Sequence, residues 1–203
     1  MPRIITISRE FGSGGRELGK RLADELGFDY YDREIITKVA EESQLDAGYV
    51  ETVLNGNFSM SFPVTFGRTF FYTDVLQQNV TNLLVAEQKI IKALAEKGND
   101  MVIVGRSADV LLKEYKPLNI FVYADMESKM KRCRWRAPAN EQLTDKELAK
   151  KIKQVDVGRS RQRQIITDSE WGKKESYHLC INTTGVNIKT LIPHLAEFVK
   201  CYF

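Results

Sequence analysis

The chain has 203 residues and a mass of 23.3 kDa, with 43% hydrophobic and 28% charged residues. A chain of this size buries a core without a disulfide or metal staple, and its composition excludes disordered and fibrous classes. The net charge of +3 conceals an asymmetry: residues 129–174 carry 14 Lys/Arg against 6 Asp/Glu, which leaves the rest of the chain acidic.

In chain order, residues 4–7 read as a short buried strand and residues 8–16 as a polar loop. Leu18, Leu22, Ala23 and Leu26 then form one helical stripe, with Gly27 in the C-cap position. A second strand over 28–31 is closed by Asp32-Arg33, and helical patterns return at 34–42 and 46–54. Residues 55–74 read as irregular and aromatic. Phe58, Phe62, Phe66 and Phe70 recur every four positions there, but Pro63 and Gly67 interrupt them. This segment reads first as core packing, with a ligand-capping surface or a homodimer surface as alternatives.

A long helix is expected over about 75–97. Gly98-Asn99-Asp100 then turns into a strand at 101–104, and a short helix leads to a strand at 120–123. Residues 127–135 form a basic helix broken at Ala137-Pro138-Ala139-Asn140. Thr144-Asp145-Lys146-Glu147 has capping-box spacing and opens a helix to about Ile166. A strand at 177–182 and a helix at 187–199 follow. Short apolar strands alternating with helices predict an α/β fold with a parallel sheet covered on both faces.

No apolar run approaches the roughly 18 residues of a membrane span. The first residues lack the apolar stretch of a signal peptide, so a cytoplasmic protein is expected. Cys133, Cys180 and Cys201 contain no CxxC pair and read as small apolar residues. Two histidines, His178 and His194, argue against a multi-histidine metal centre or a histidine triad.

Chemistry concentrates at the first turn, Ser8-Arg9-Glu10-Phe11-Gly12-Ser13-Gly14-Gly15-Arg16-Glu17. Three glycines in four residues at a strand-to-helix turn let the backbone aim N–H groups at an anion, with the helix dipole behind them. The dinucleotide fingerprint fails because position 17 is Glu, although Asp32 would suit a ribose contact. The P-loop pattern fits in part, since Gly14-Gly15 is followed by Arg16 and Glu17 in place of Lys and Ser/Thr. The basic 129–174 segment also points to a polyanion, and its arginines suit bidentate phosphate contact. Nucleic acid is disfavoured, because only Trp135 and Trp171 accompany the basic residues.

The segments ITISREFGSGGRELGKRLADELGFDYYD, VIVGRSADVLLKEY and NIFVYADMESKMKRC, in that order, resemble the cytidylate kinase-like family, a branch of the P-loop nucleoside monophosphate kinases. The resemblance spans nearly the whole chain and is weakest over 43–85. It implies a single three-layer P-loop domain with its core at 1–32, 98–130 and 176–203. An acceptor-side helical insert at about 33–97 and a basic lid at about 131–163 complete it. It further implies ATP with Mg²⁺ as cofactors and small nucleotides as partners, the acceptor being a nucleoside monophosphate such as CMP.

By the same resemblance, Gly12, Ser13, Gly14 and Gly15 wrap the donor phosphate. Arg16 stands in for the loop lysine, although counting from the strand puts Gly15 at that position. Glu17 falls where a hydroxyl would meet Mg²⁺. Asp32, Arg33 and Arg106 lie where the acceptor is held, Arg33 and Arg106 as phosphate contacts. Asp156, Arg159 and Arg163 share one helical face that returns from the lid to the acceptor. Arg16, Arg132 and Arg159 are the expected catalytic cations, because phosphoryl transfer needs positioning and charge neutralisation. Ser107 replaces an acidic residue of the family pattern. A nucleotide-binding regulator with little turnover, or a kinase for another small acceptor, remain the alternatives. A self-repelling lid over 131–163, hinged at Pro138 and Asn140-Glu141-Gln142, is expected to stand open without a bound polyanion.

Overall fold

The computed structural model describes residues 1–54, 69–138, 141 and 143–203, with no side-chain description at 52, 53 and 69–79. Phe58, Phe62, Phe66, Asn140 and Gln142 lie outside the described residues, as does the side chain of Phe70. Five strands form one sheet: β1 (Ile4–Arg9), β2 (Asp29–Tyr31), β3 (Met101–Val104), β4 (Leu118–Tyr123) and β5 (Leu179–Asn182). Their order is β2-β3-β1-β4-β5, and every pairing is parallel. Ile4 faces Met101, Ile5 faces Leu118 and Ile120 faces Leu179.

The central strands are apolar on both faces because both are covered. Ile4, Met101 and Ile103 pack against residues of α2 (Arg33–Ser43), α3 (Ala47–Leu54), α4 (Thr69–Glu96) and α5 (Ala108–Leu111). Ile5, Ile7, Val102 and Val104 face the other way, onto α1 (Gly15–Leu26) and α8 (Ile188–Tyr202). The expected stripe of α1 is buried at Leu18, Leu22 and Ala23. Gly27 ends the helix at φ 68°, the left-handed region where glycine carries no Cβ penalty.

Between β4 and β5 the chain forms α6 (Met126–Arg136) and α7 (Asp145–Ile166). The capping box opens α7 as its spacing predicts: Thr144 Oγ1 accepts from the Glu147 N–H while Glu147 accepts from the Thr144 N–H. Among the described residues, no helix is long and apolar enough to cross a membrane.

Two boundaries and the exposure of two cysteines stand out against the sequence reading. β1 runs on to Arg9, because Ser8 and Arg9 continue the pairing with Phe121 and Val122 of β4. α4 begins at Thr69, inside the segment read as irregular; aromatic residues are only mildly unfavourable in helices, so no strong breaker lies beyond Gly67. Cys180 and Cys201 are exposed, since Cys180 points outward from the edge strand β5.

Candidate active site

All strands are parallel, so their C-terminal ends share one edge of the sheet, where ligands of open α/β folds gather. Arg9 ends β1, and Asp32, Gly105-Arg106 and Thr183 follow the ends of β2, β3 and β5. The glycine turn climbs from β1 into α1 through Gly12 (φ 77°) and Gly14 (φ 84°), both in the left-handed region. A Cβ on Gly12 would come within 2.9 Å of the Lys129 carbonyl oxygen, and one on Gly14 would overlap Ile188 Cδ1. Ser13 is buried and fixes the turn from inside: its Oγ donates to the Glu10 carbonyl (2.8 Å), and its carbonyl accepts from Thr183 Oγ1 (2.6 Å).

The turn leaves donors free. No carbonyl among the described residues takes the N–H of Gly12, Gly14, Arg16 or Glu17, and the Gly15 N–H has only a long 3.4 Å contact to Ser13 Oγ. These groups sit at the N-terminus of α1, whose unpaired N–H groups and dipole attract an anion. They adjoin a cavity of about 250 Å³ between the loop and the α6–α7 arm, rimmed by Arg132, Arg134, Arg136, Lys151 and Arg159.

Arg16 borders this cavity, but its Nε is ion-paired with Asp32 and its side chain is nearly half exposed. Glu17 is spanned by two guanidiniums, Arg21 at 2.9 Å and Arg136. With both oxygens engaged, Glu17 does not fit the part of a free Mg²⁺ ligand. Among the described residues, no group of three or more His, Cys, Asp or Glu is arranged to hold a metal. Arg132 is directed to the β5–α8 turn, where its guanidinium donates to the Thr183 and Val186 carbonyls.

The arm is docked on the loop. Asp156 accepts from the Phe11 N–H (2.7 Å), and Lys129 pairs with Glu10 at 2.6 Å and Asp156 at 3.6 Å. Burial pushes the Asp156 carboxyl up, while the Phe11 N–H and the Arg159 and Lys129 charges oppose it. Arg159 donates to the Arg9 carbonyl (2.9 Å) and lies over the Phe11 ring; burial pulls its guanidinium down to about 10. The self-repelling open arm is therefore not what the structure shows. Glu10, Glu17 and Asp109 of the acidic body neutralise Lys129, Arg136 and Arg163, while Asp145 and Glu141 neutralise Arg134 and Lys151.

Across Arg9 lies a second, narrow slot of about 20 Å³, lined by Arg9, Arg106, Arg159, Gln162 and Arg163. Arg106 is buried at φ 62°, donates to the Leu54 carbonyl (3.3 Å) and stands 3.3 Å from Glu87. Its Nε has no hydrogen-bond partner. Burial lifts the Glu87 carboxyl to about 7, against the attraction of Arg106. Arg163 is committed elsewhere, to Asp109 through two bonds (3.0 and 2.8 Å) and to Ser169 Oγ. Arg33 stands apart, two-thirds exposed and 3.8 Å from Glu51. Asp32 occupies the N-cap position of α2 without a capping bond, and bridges Arg9 and Arg16 instead.

The sequence singles out neither Arg9 nor Glu87 nor Asp109. Arg9 adjoins the glycine turn, and its charge beside that turn is the one local signal. Glu87 is one acidic residue in a 28-residue helix, and only the fold reveals that it faces Arg106.

The arrangement suits a multiply charged anion in the cavity; the arginine-lined slot has room for about one water as it stands, so an anion would enter it only if the paired side chains move apart. An uncharacterised protein from Eubacterium ventriosum shares this fold at 23% identity, with 98% of each chain covered and a TM-score of 0.70. Shikimate kinase from Bacteroides thetaiotaomicron superposes over 98% of each chain (16% identity, TM-score 0.58). A sugar kinase from Janibacter sp. HTCC2649 does so over 98% of this chain and 95% of its own (14% identity, TM-score 0.53). No curated protein matches the sequence. The cytidylate kinase-like family model matches residues 4–185, and with the P-loop kinase architecture on which that match falls, the chain belongs to the cytidylate kinase-like family.

Proposed function

We propose that this chain transfers the γ-phosphoryl group of ATP to a small anionic acceptor, a nucleoside monophosphate such as CMP being the first candidate. The observation that carries this reading is the glycine turn, whose unpaired N–H groups open onto an arginine-rimmed cavity beside a second arginine-lined slot. ATP phosphates would lie on Gly12, Ser13, Gly14 and Gly15. Mg²⁺ would arrive on the nucleotide, held by phosphate oxygens and water.

In the transfer, an acceptor oxygen forms a bond to the γ-phosphorus as the bond from that phosphorus to the bridging oxygen breaks and ADP leaves. A phosphate acceptor brings its own anionic oxygen and needs no base. Arg106 and Arg159 favour such an acceptor over the neutral hydroxyls of a sugar. The chain's work is positioning and charge neutralisation. Residues 33–97 would form the acceptor side and 131–163 the cover of the donor.

A second reading, a nucleotide-binding regulator with little turnover, draws on the narrow slot and on the engagement of Glu17 by Arg21 and Arg136. One experiment separates the two: a phosphotransfer screen of nucleoside monophosphates with ATP and Mg²⁺, alongside shikimate and hexoses, with ADP binding measured in parallel. Transfer to a monophosphate supports the kinase, transfer only to a hydroxyl acceptor overturns the acceptor class, and binding without transfer supports the regulator.

A further inference from the structure

We propose that Arg9 is the cation of this site that contacts the transferred phosphoryl group, standing between donor and acceptor in place of the lysine that the glycine turn lacks. The assignment rests on the phosphotransfer reading above. From Ser8 to Glu17 the only cationic side chains are Arg9 and Arg16, and Arg16 turns away to Asp32 with nearly half its side chain in solvent. Arg9 closes β1, and its side chain runs inward along the sheet edge, 10% exposed.

Two glycines from separate loops make room for it. A Cβ on Gly15 would lie 2.5 Å from the Arg9 Cβ, and a Cβ on Gly105 would overlap its Nη1. A lysine at position 15 would therefore collide with Arg9, so the two solutions exclude each other. The slot places Arg9 on the wall shared by the donor cavity and the acceptor slot.

The guanidinium is also short of partners. Among the described residues it donates no hydrogen bond, and its nearest carboxylate oxygen, Asp32 Oδ1, stands 3.5 Å away without accepting one. Arg159, Arg106 and Arg16 add positive charge around it, with Asp32 opposing. Burial first, and then Arg159, hold Arg9 well below the usual arginine range. A largely buried guanidinium that borders two cavities, with one distant anion and three cationic neighbours among the described residues, is stabilised by an anion that enters from those cavities. A phosphoryl group carrying three equatorial oxygens in the transition state is an anion of that kind.

The test compares two probes in the presence of Mg²⁺: ADP, which lacks the γ-group, and AMP-PNP, which carries it. Binding is measured by titration calorimetry in wild-type protein and Arg9→Gln. The expected result is a loss of AMP-PNP affinity on the order of tenfold or more, as for one charge-assisted contact, with ADP affinity within about threefold of wild type. Equal loss of both ligands, or of neither, overturns the assignment and leaves Arg9 as a brace between β1 and Asp32. Wild-type protein that binds neither probe overturns the phosphotransfer reading and this assignment with it. If Arg9→Gln does not fold, Arg9→Met, which keeps the length of the side chain without its charge, carries the test. Selective weakening of AMP-PNP in R9M supports the contact, and unchanged preference between the two probes contradicts it.

Discussion

The two sides of Arg9 are built on different principles. The side proposed for the donor is a roomy cavity bordered by backbone N–H groups, free because the first turn of a helix cannot pair them. The side proposed for the acceptor is a slot about a tenth as large, and its guanidiniums already have carboxylate neighbours: Arg106 at Glu87, Arg163 at Asp109. A site made of backbone is preorganised and tolerant of its ligand's identity. A site made of paired side chains must exchange partners when its ligand enters, which makes it the place where selectivity is set.

The sharpest way to break this comparison is at Arg159, the one α7 residue that borders both sides and ties them together through the Arg9 carbonyl. Arg159→Ala is expected to lower phosphotransfer turnover by about 10²–10³, the scale of a lost transition-state donor. A loss below about threefold in steady-state assays would remove Arg159 from the machinery.

Asp156 sharpens the donor side. Asp156→Ala strands the Phe11 N–H and leaves Lys129 with Glu10 alone, so unfolding free energy in urea should fall by about 1–3 kcal/mol. Unchanged stability would mean that the loop keeps its shape without the arm.

Glu87 probes the acceptor side through pH. Its folded-state carboxyl is raised from 4.5 to about 7, so the proton binds more tightly in the folded chain. The stability from this group is therefore full below about 4.5 and is lost as pH rises through 7, with a slope of at most about 1.4 kcal/mol per pH unit. Thermal melts of wild type and Glu87→Gln across pH 5–8 should show the slope in the first and its loss in the second. Parallel profiles would show that Glu87 stays ionised throughout.

The smallest effect is expected at Arg33. An exposed pair at 3.8 Å contributes little, so Arg33→Ala should change stability by less than about 0.5 kcal/mol. A tenfold loss of acceptor use in the same variant would bring Arg33 back to the slot.

Local signals explain what the sequence made legible. The continuous apolar strands, the Gly27 C-cap and the Thr144–Glu147 capping box each act within a few residues, and the structure holds all three. The glycine turn was readable for the same reason. The partners of its charges were not. Arg16 faces Asp32 across the end of β2, and Glu17 meets Arg136 from a distance of 119 residues in the chain. Arg163 reads as a ligand-facing arginine on its helical face, but Asp109 claims it from α5. Spacing along a helix tells which residues share a face, not which carboxylate the fold brings opposite.

The most direct measurement of the central claim is the backbone amide spectrum of ¹⁵N-labelled protein during titration with Mg²⁺–ADP. The account predicts saturable shifts largest at the N–H groups of Gly12, Gly14, Gly15 and Arg16, with smaller changes along α6 and α7. Saturable shifts elsewhere with these four amides unmoved, or no shift at millimolar ADP, would contradict the glycine turn as the donor-phosphate site.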